Sequence, residues 1–447
     1  MKTTIRPETE MKDSGIKWVG LMPVNWKTVR IKNLPNQEEN SFVDGDWIES
    51  SYITDSGIRY YTTGNIGDGK FKEQGNGYIS ENTFNELKCK YAFPGDLVLS
   101  RLNEPYGRSC IIPETEPKCI VAVDNVILRT NEDKRYICYI TQCDGYHAEV
   151  GELARGTAMK RVSRTNLGTI RIPLPAKIEQ QAIANYLDQT CSKIDEIITE
   201  AKASIDEYKK LKQSVITNIT THGLRDVSLI NSGNMDIGMI PDTWSICKTL
   251  YGLAMPITDG PHVTPELLDD GIAFISAEAV SCGRGSIDFN HMRGYISEEF
   301  YNECCKKYVP QRDDIYMIKS GATTGTVSIV DTDRKFTIWS PLAVFRVNRD
   351  RLNPRYLFYF LQSKPYQQQV QLGWTFGTQQ NIGMRTLEQL KICLPPLGEQ
   401  AEIVEYLDNK LPQIDSLIAE KESLINDLEV YKKSLIYEVV TGKRRVV

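Results

Sequence analysis

Apolar residues recur with helical spacing along two stretches of the chain. In the first they fall at Ile183, Leu187, Cys191, Ile194, Ile198, Ala201, Ile205 and Tyr208. In the second they fall at Ile403, Leu407, Leu411, Ile414, Ile418, Ile425, Leu428 and Leu435, with a further stripe at Leu417, Leu424 and Tyr431. Steps of three and four place such residues on one helix face, with charges between them, as a heptad-like seam. Pro175 and Pro395–Pro396 stand before the two stretches, where proline is tolerated, and Gly223 and Gly442 follow them, as terminating glycines do. A helix over 177–219 would be about 65 Å long at 1.5 Å per residue.

Elsewhere the apolar runs are short and bounded by Gly, Pro and Asp. DLVLSR (96–101), SCIIP (109–113), CIVAV (119–123), NVILR (125–129), DIYMIK (314–319), GTVSIV (325–330) and LAVFRV (342–347) read as strands. RYICYITQC (135–143) and RYLFYFLQS (355–363) read as helices, and both open on Arg-Tyr after an Asn-containing turn.

The chain is written twice. Residues 170–222 set against 390–442, at a constant offset of 220, are identical at 18 of 53 positions, where chance at ordinary composition gives about three or four. Upstream, GLMPVNW (20–26) matches GMIPDTW (238–244), GYIS recurs at 77–80 and 294–297, and GTAMKRVSRTNL (156–167) parallels GTQQNIGMRTLEQL (377–390). The expected architecture is α+β and not Rossmann-like. A first head covers 1–172, a central helical segment 173–224, a second head 225–393 and a C-terminal helical segment 394–447. The second head joins the end of one helix to the start of the next, so parallel helices would force it to bridge a whole helix length. Antiparallel packing removes that strain. It predicts two mixed α/β heads separated by two long helices packed as an antiparallel coiled coil, a pseudo-two-fold internal repeat. The seam would be formed by Ile183, Leu187, Ile194, Ile198 and Ile205 with Ile403, Leu407, Leu411, Ile414, Ile418, Ile425 and Leu428.

Composition narrows the function. The 447 residues carry a net charge of −5 with a pI near 5.7, which argues against a uniformly basic chain but leaves room for local basic faces. No stretch approaches a membrane span and the N-terminus lacks a secretory apolar region, so a cytoplasmic protein without membrane contact is expected. Eleven cysteines without a C-x-x-C, and only four histidines, point to reduced thiols and to no metal site.

The candidate chemistry is polar and basic residues in turns. In the first head these are Trp47, Arg101, Asn103, Tyr106 and Arg108, then Lys160, Arg161 and Arg164. In the second they are His262, Lys319, Thr323 and Thr324, then Gln379, Gln380, Asn381 and Arg385. Gln, Asn and Arg suit base edges, and Lys, Arg and Thr suit phosphates. Trp47, in DGDWI (44–48), stands where His262 stands in DGPHVTP (259–265), so a shared catalytic base is not expected there. NEPY (103–106) resembles the adenine-gripping motif of amino-methyltransferases, but Glu104 replaces a proline and no cofactor-binding glycine loop accompanies it. No catalytic residues are assigned, and the chain lacks the hydrolase, zincin and phosphate-loop motifs.

The sequence resembles the specificity subunits of type I restriction–modification systems. The resemblance is carried by SGIKWVGLMPVNW (14–26), DGPHVTP followed by GIAFISAEAV (271–280), SGATTGTVSIV (320–330), and PLPAKIEQQAI with its twin LPPLGEQAEI. The endings SVITNITTHGL (214–224) and SLIYEVVTGK (434–443) complete it. It covers nearly the whole chain, although SRLNEPYG stands in the first head where the second has SGATTG. It implies two target recognition domains, each reading one half of an asymmetric bipartite site in double-stranded DNA. It implies helices that set the spacing and dock two methyltransferase subunits, which hold S-adenosylmethionine and modify adenine N6. Two motor-nuclease subunits using ATP and Mg would complete the complex, while this chain would hold no cofactor and catalyse nothing. The alternatives are a stand-alone adenine-N6 methyltransferase built on Asn103–Tyr106, and a structural adaptor without DNA readout.

Overall fold

The computed structural model describes residues 3–75, 77–157, 159–376 and 380–446. The chain divides into two compact units, Met1–Ala201 with Ser423–Val447, and Lys202–Glu422. This division crosses the four sequence segments, because each unit takes a head together with parts of both long helices.

In unit 1 a four-stranded antiparallel sheet runs in the order Phe42–Asp44, Asn125–Leu128, Leu97–Ser100, Ser109–Ile111. Alternate residues of a strand face opposite sides of a sheet, and here both sides are covered. Leu97, Leu99, Val126 and Leu128 pack on Tyr136, Ile137, Ile140 and the long helix. Val98, Cys110 and Ile127 pack on Tyr61, Ile66, Cys119 and Val121. Burial on both faces explains why these strands read as continuous apolar runs. A smaller sheet places Ile58–Tyr61 between Cys119–Val121, which is parallel to it, and Tyr78–Ile79, which is antiparallel.

Unit 2 has the same plan. Its four-stranded sheet runs Thr258–Asp259, Leu342–Phe345, Ile315–Ile318, Val327–Ile329, all antiparallel, and its three-stranded sheet centres on Ile272–Ile275. All seven strands expected from apolar runs are present. The two aromatic helices span Lys134–Ile140 and Pro354–Gln362.

The long helices span Lys177–His222 and Leu397–Val440, and the second continues through Pro412. In unit 1, Ile183, Leu187, Cys191, Ile194 and Ile198 share one core with the head and with Leu435, Ile436, Val439 and Val440; Ile425 and Leu428 are half-buried against it. In unit 2, Ile205, Ile403, Leu407, Leu411, Ile414 and Ile418 are buried. The second stripe differs, since Leu417, Leu424 and Tyr431 are exposed.

Within unit 1, Arg6 joins the Gly442 carbonyl (3.0 Å) to Glu179 (3.2 Å), and Lys432 meets Asp195 at 2.6 Å. Within unit 2, Arg225 meets Glu402 at 2.8 Å and Lys212 meets Asp415 at 2.6 Å. In each unit, therefore, the two helical segments run in opposite directions.

The repeated Glu-Gln pair at the helix starts has a structural reason. Trp26 Nε1 donates to Glu179 at 3.0 Å, and Trp244 Nε1 donates to Glu399 at 2.9 Å. Gln180 Nε2 donates to the Pro175 carbonyl at 2.9 Å while its Oε1 accepts from the Asp133 amide. Gln400 does the same with Pro395 and Asn353. Asp188 takes Arg135 and Tyr139, as Asp408 takes Arg355 and Tyr359. These contacts lock each helix start onto its own head.

Candidate nucleic-acid interface

Three loops meet at one end of the strands of the four-stranded sheet in unit 1. The strand Leu97–Ser100 delivers Arg101, whose guanidinium donates to the carbonyls of Val162 (3.0 Å) and Val123 (2.6 Å) and stands 3.1 Å from Asp44. Burial lowers the Arg101 pKa, against the pull of Asp44 and Asp124. Leu102 bridges Arg161, and the Val162 amide donates to the Arg101 carbonyl at 3.0 Å. Arg164 reaches the other oxygen of Asp44 at 3.3 Å, and Arg161 reaches Asp124 at 3.4 Å.

The candidate residues here fall into two groups. Arg101, Tyr106 and Arg108 are buried. Arg108 is consumed by carbonyls of Thr63, Ile66, Leu102, Asn103 and Pro105, and burial lowers its pKa as well. These side chains are packed into the loop, and the NEPY segment buries the Tyr106 ring and does not present it to a base. Trp47, Asn103, Lys160 and Arg161 are exposed, and Arg164 is 39% exposed at its side chain. Asn103 sits at φ 63°, a left-handed turn position that Asn tolerates.

Unit 2 repeats the frame with other residues. Asp259 lies opposite Ala343 in the sheet as Asp44 lies opposite Val126. It is 1% exposed and takes Lys319 at 3.3 Å, His262 at 3.1 Å and Lys307. Burial alone would raise its pKa; Lys307 and Lys319 outweigh this and hold the carboxylate below its usual range. Gly260 follows in close contact with the Ile338 carbonyl, where an added Cβ would lie at 2.1 Å, and Gly45 meets Val121 in the same way at 2.2 Å.

The loop after Ile315–Ile318 is tied to the segment before the helix Met384–Gln389. The Gly321 amide donates to the Gln380 carbonyl at 3.0 Å, and the Ile382 amide donates to the Lys319 carbonyl at 2.9 Å. Thr324 Oγ1 donates to Gly321 at 2.7 Å. His262, Thr323, Gln380, Asn381 and Arg385 are exposed, Thr324 is half-buried and Lys319 mostly buried. Gln379 lies outside the described residues.

Sequence reasoning named the cations but missed the carboxylates that hold them, Asp44, Asp124 and Asp259. The signal available was the Asp-Gly pair that opens both DGDWI and DGPHV. Among the described residues, no group of three or more His, Cys, Asp or Glu is placed to hold a metal, and no helix is long and apolar enough to cross a membrane.

Two units of one plan, each with a carboxylate-held frame carrying different exposed side chains, define a two-headed recognition protein. The chain belongs to the family described as the type I restriction modification DNA specificity domain, whose pattern matches residues 23–207 and 271–427. The chain is similar to the putative type I restriction enzyme MjaX specificity subunit of Methanocaldococcus jannaschii, 25% identical over 391 residues, covering 85% of this chain and 86% of that one. It is 19% identical to the EcoKI specificity subunit of Escherichia coli K12 over 95% of this chain and 89% of the other. Among solved structures, one from work on complex assembly and conformational transition of the type I R-M system superposes with a TM-score of 0.70, at 17% identity over 94% of this chain and 99% of that one. The HsdS subunit from Thermoanaerobacter tengcongensis follows at 0.50 and 16%, over 94% and 98%.

Proposed function

We propose that this chain is the DNA-recognition subunit of a type I restriction–modification assembly, and that it carries recognition rather than catalysis. The observation that supports this reading best is the repeated frame. Arg101–Asp44 and Lys319–Asp259 hold equivalent loops, while Trp47 and His262 project from equivalent places with unlike chemistry. Equal frames with unequal contacts suit an asymmetric bipartite target, one half-site per head. The net charge of the chain is no obstacle, because Lys160, Arg161 and Arg164 gather basic charge at the loops.

In this reading the two long helices form an antiparallel coiled coil with pseudo-two-fold symmetry that spaces the heads. Their exposed apolar residues, Leu417, Leu424 and Tyr431 among them, dock two methyltransferase subunits. Those subunits supply S-adenosylmethionine, and two motor-nuclease subunits supply ATP- and Mg-dependent restriction in the cytoplasm. Methylation mapping of the genome with and without this gene tests the proposal. The expected result is loss of one bipartite, asymmetric adenine mark. An unchanged methylome in cells that express the partner methyltransferase would overturn it.

A further inference from the structure

One lysine of unit 2 shares a carboxylate that two other cations already hold. In unit 1, two residues beyond Asp44, the buried Asp46 takes both the Lys90 ammonium (2.6 Å) and the Lys90 backbone amide (2.7 Å). The repeat sets Lys307 against Lys90 and Tyr308 against Tyr91, at the same offset as the recurring GYIS, and sets Pro261 against Asp46, two residues beyond Asp259. With proline in that place, Lys307 turns to Asp259, which also has Lys319 at 3.3 Å and His262 at 3.1 Å. Lys307 is thus a surplus cation, and it is half-exposed. It stands at a cavity of about 300 Å³ whose walls include Pro261, Val263, Phe300, Cys304 and Tyr308.

An apolar cavity with a cation beside it suits a flat, largely apolar group carried on a phosphate, which is the chemistry of a nucleotide. Pro261 and Val263 flank the exposed His262, so the cavity borders the loop that unit 2 offers to DNA in the reading above. A paired base stays in its stack and does not enter a cavity; an unpaired one swings out at lower cost. A methyltransferase acting on a base draws that base out of the stack, and an adenine so drawn leaves a thymine without its partner. Resting on the DNA-reading role proposed above, we propose that this cavity of unit 2 takes up the orphaned thymine of its half-site, with Lys307 on the adjoining phosphate. The C5-methyl group of thymine suits apolar walls, and Phe300 and Tyr308 offer aromatic surface in place of the lost stacking. Held there, the thymine cannot re-pair, and the flipped state of the adenine is favoured. Unit 1 spends the equivalent lysine on Asp46, so the effect belongs to one half-site.

The test uses the full chain assembled with its methyltransferase subunits. The probes are short duplexes of the sequence that the assembly methylates, with an abasic position replacing the thymine opposite the target adenine in one half-site, in the other, or in both. Losing the thymine eases extrusion of the adenine in either half-site, but only the half-site of unit 2 also loses a base held by protein. The wild-type assembly is expected to bind the duplex abasic on the unit 2 side about tenfold more weakly than the one abasic on the unit 1 side, the scale of one stacked base. Cys304→Phe, which fills the cavity, and Pro261→Asp, which gives Lys307 the carboxylate that Lys90 has, are each expected to bring that ratio close to one. Both variants are expected to bind the doubly abasic duplex as tightly as wild type.

A ratio near one for the wild-type assembly would overturn the thymine site and leave DNA reading intact. So would a ratio that both variants leave unchanged. Weaker binding of the doubly abasic duplex by both variants would assign these residues to the scaffold, and the site would again fall. Saturable binding of thymidine 5′-monophosphate by the wild-type chain, lost in Cys304→Phe, with no difference between the abasic duplexes, would assign the cavity to a free nucleotide instead. A wild-type assembly that binds the unmodified duplex no better than random sequence would sink the recognition reading itself.

Discussion

The Arg101 guanidinium lies 3.1 Å from the Asp44 carboxylate, almost out of reach of solvent, and its two Nη groups donate to the carbonyls of Val162 and Val123. It is the buried counterpart of Lys319, which meets Asp259 at the same place in the other unit. Removing Arg101 leaves Asp44 with Arg164 alone and strands the Val123 and Val162 carbonyls. Arg101→Met is therefore expected to cost about 2 kcal/mol of stability in unit 1, read as a lower denaturant midpoint. Arg101→Lys should recover part of that loss, because lysine can hold the carboxylate but cannot satisfy both carbonyls. An effect on DNA affinity alone, with the midpoint unchanged, would place Arg101 at the DNA instead of in the frame.

Lys160 and Arg161 behave differently if they meet phosphates. Lys160→Ala with Arg161→Ala should leave the unfolding free energy within about 0.5 kcal/mol of wild type, as surface changes usually do. The same change should weaken binding to every duplex by a similar factor. The slope of log affinity against log salt should become shallower by about 1.8, near 0.9 for each phosphate no longer neutralised. A selective weakening on the cognate duplex with the slope unchanged would show that the two side chains touch bases instead.

His147, in the helix Asp144–Glu152, is pushed down to about 4, chiefly by burial, with Asp144 opposing and Arg108 and Lys433 adding to the shift. The folded imidazole stays neutral where an unfolded one, titrating near 6.5, has taken up a proton. Its contribution is thus present above pH 6.5 and is lost as pH falls towards 4, by about 3 kcal/mol in all. Asp68, 3.5 Å away, is raised to about 6 by burial and works in the opposite sense, favouring the folded state more as pH falls from 6. The two oppose each other between pH 6 and 4. His147→Gln should remove the acid-side loss and so lessen the fall in stability over that window. Urea midpoints measured across the range give the sign directly.

The parts of this architecture visible in the sequence are those with a regular spacing. The long helices announce themselves through Ile183 to Ile205 and Ile403 to Ile418, and the central strands through runs buried on both faces, such as Leu97–Ser100. The helix Asp144–Glu152 was not visible, because only Tyr146 and Val150 of its nine residues are buried. Strands Ile58–Tyr61 and Ile272–Ile275 also escaped notice. Their partners Cys119–Val121 and Phe336–Ile338 are distant in sequence and pair in parallel. At the interface the residue types were legible but their roles were not. Whether an arginine frames a loop or faces a ligand depends on which carbonyls tertiary structure brings to it. Arg108 finds those of Thr63 and Ile66, while Arg161 remains 58% exposed at its side chain.

The proposed spacer role carries a geometric consequence. The compact units divide the long helices between Ala201 and Lys202, and between Glu422 and Ser423. Seven residues inserted at both points add about 10 Å of helix at 1.5 Å per residue, and seven residues return the seam nearly to the same face. At 3.4 Å per base pair this is about three base pairs. The expected outcome is a methylation mark with both half-sites unchanged and a gap longer by that amount. Replacing residues 225–393 with the second head of another specificity subunit should instead change one half-site and keep the gap. Methylation mapping reads both variants. An unchanged gap in the first would sink the spacer role, and a change in both half-sites in the second would sink the assignment of one half-site to each head.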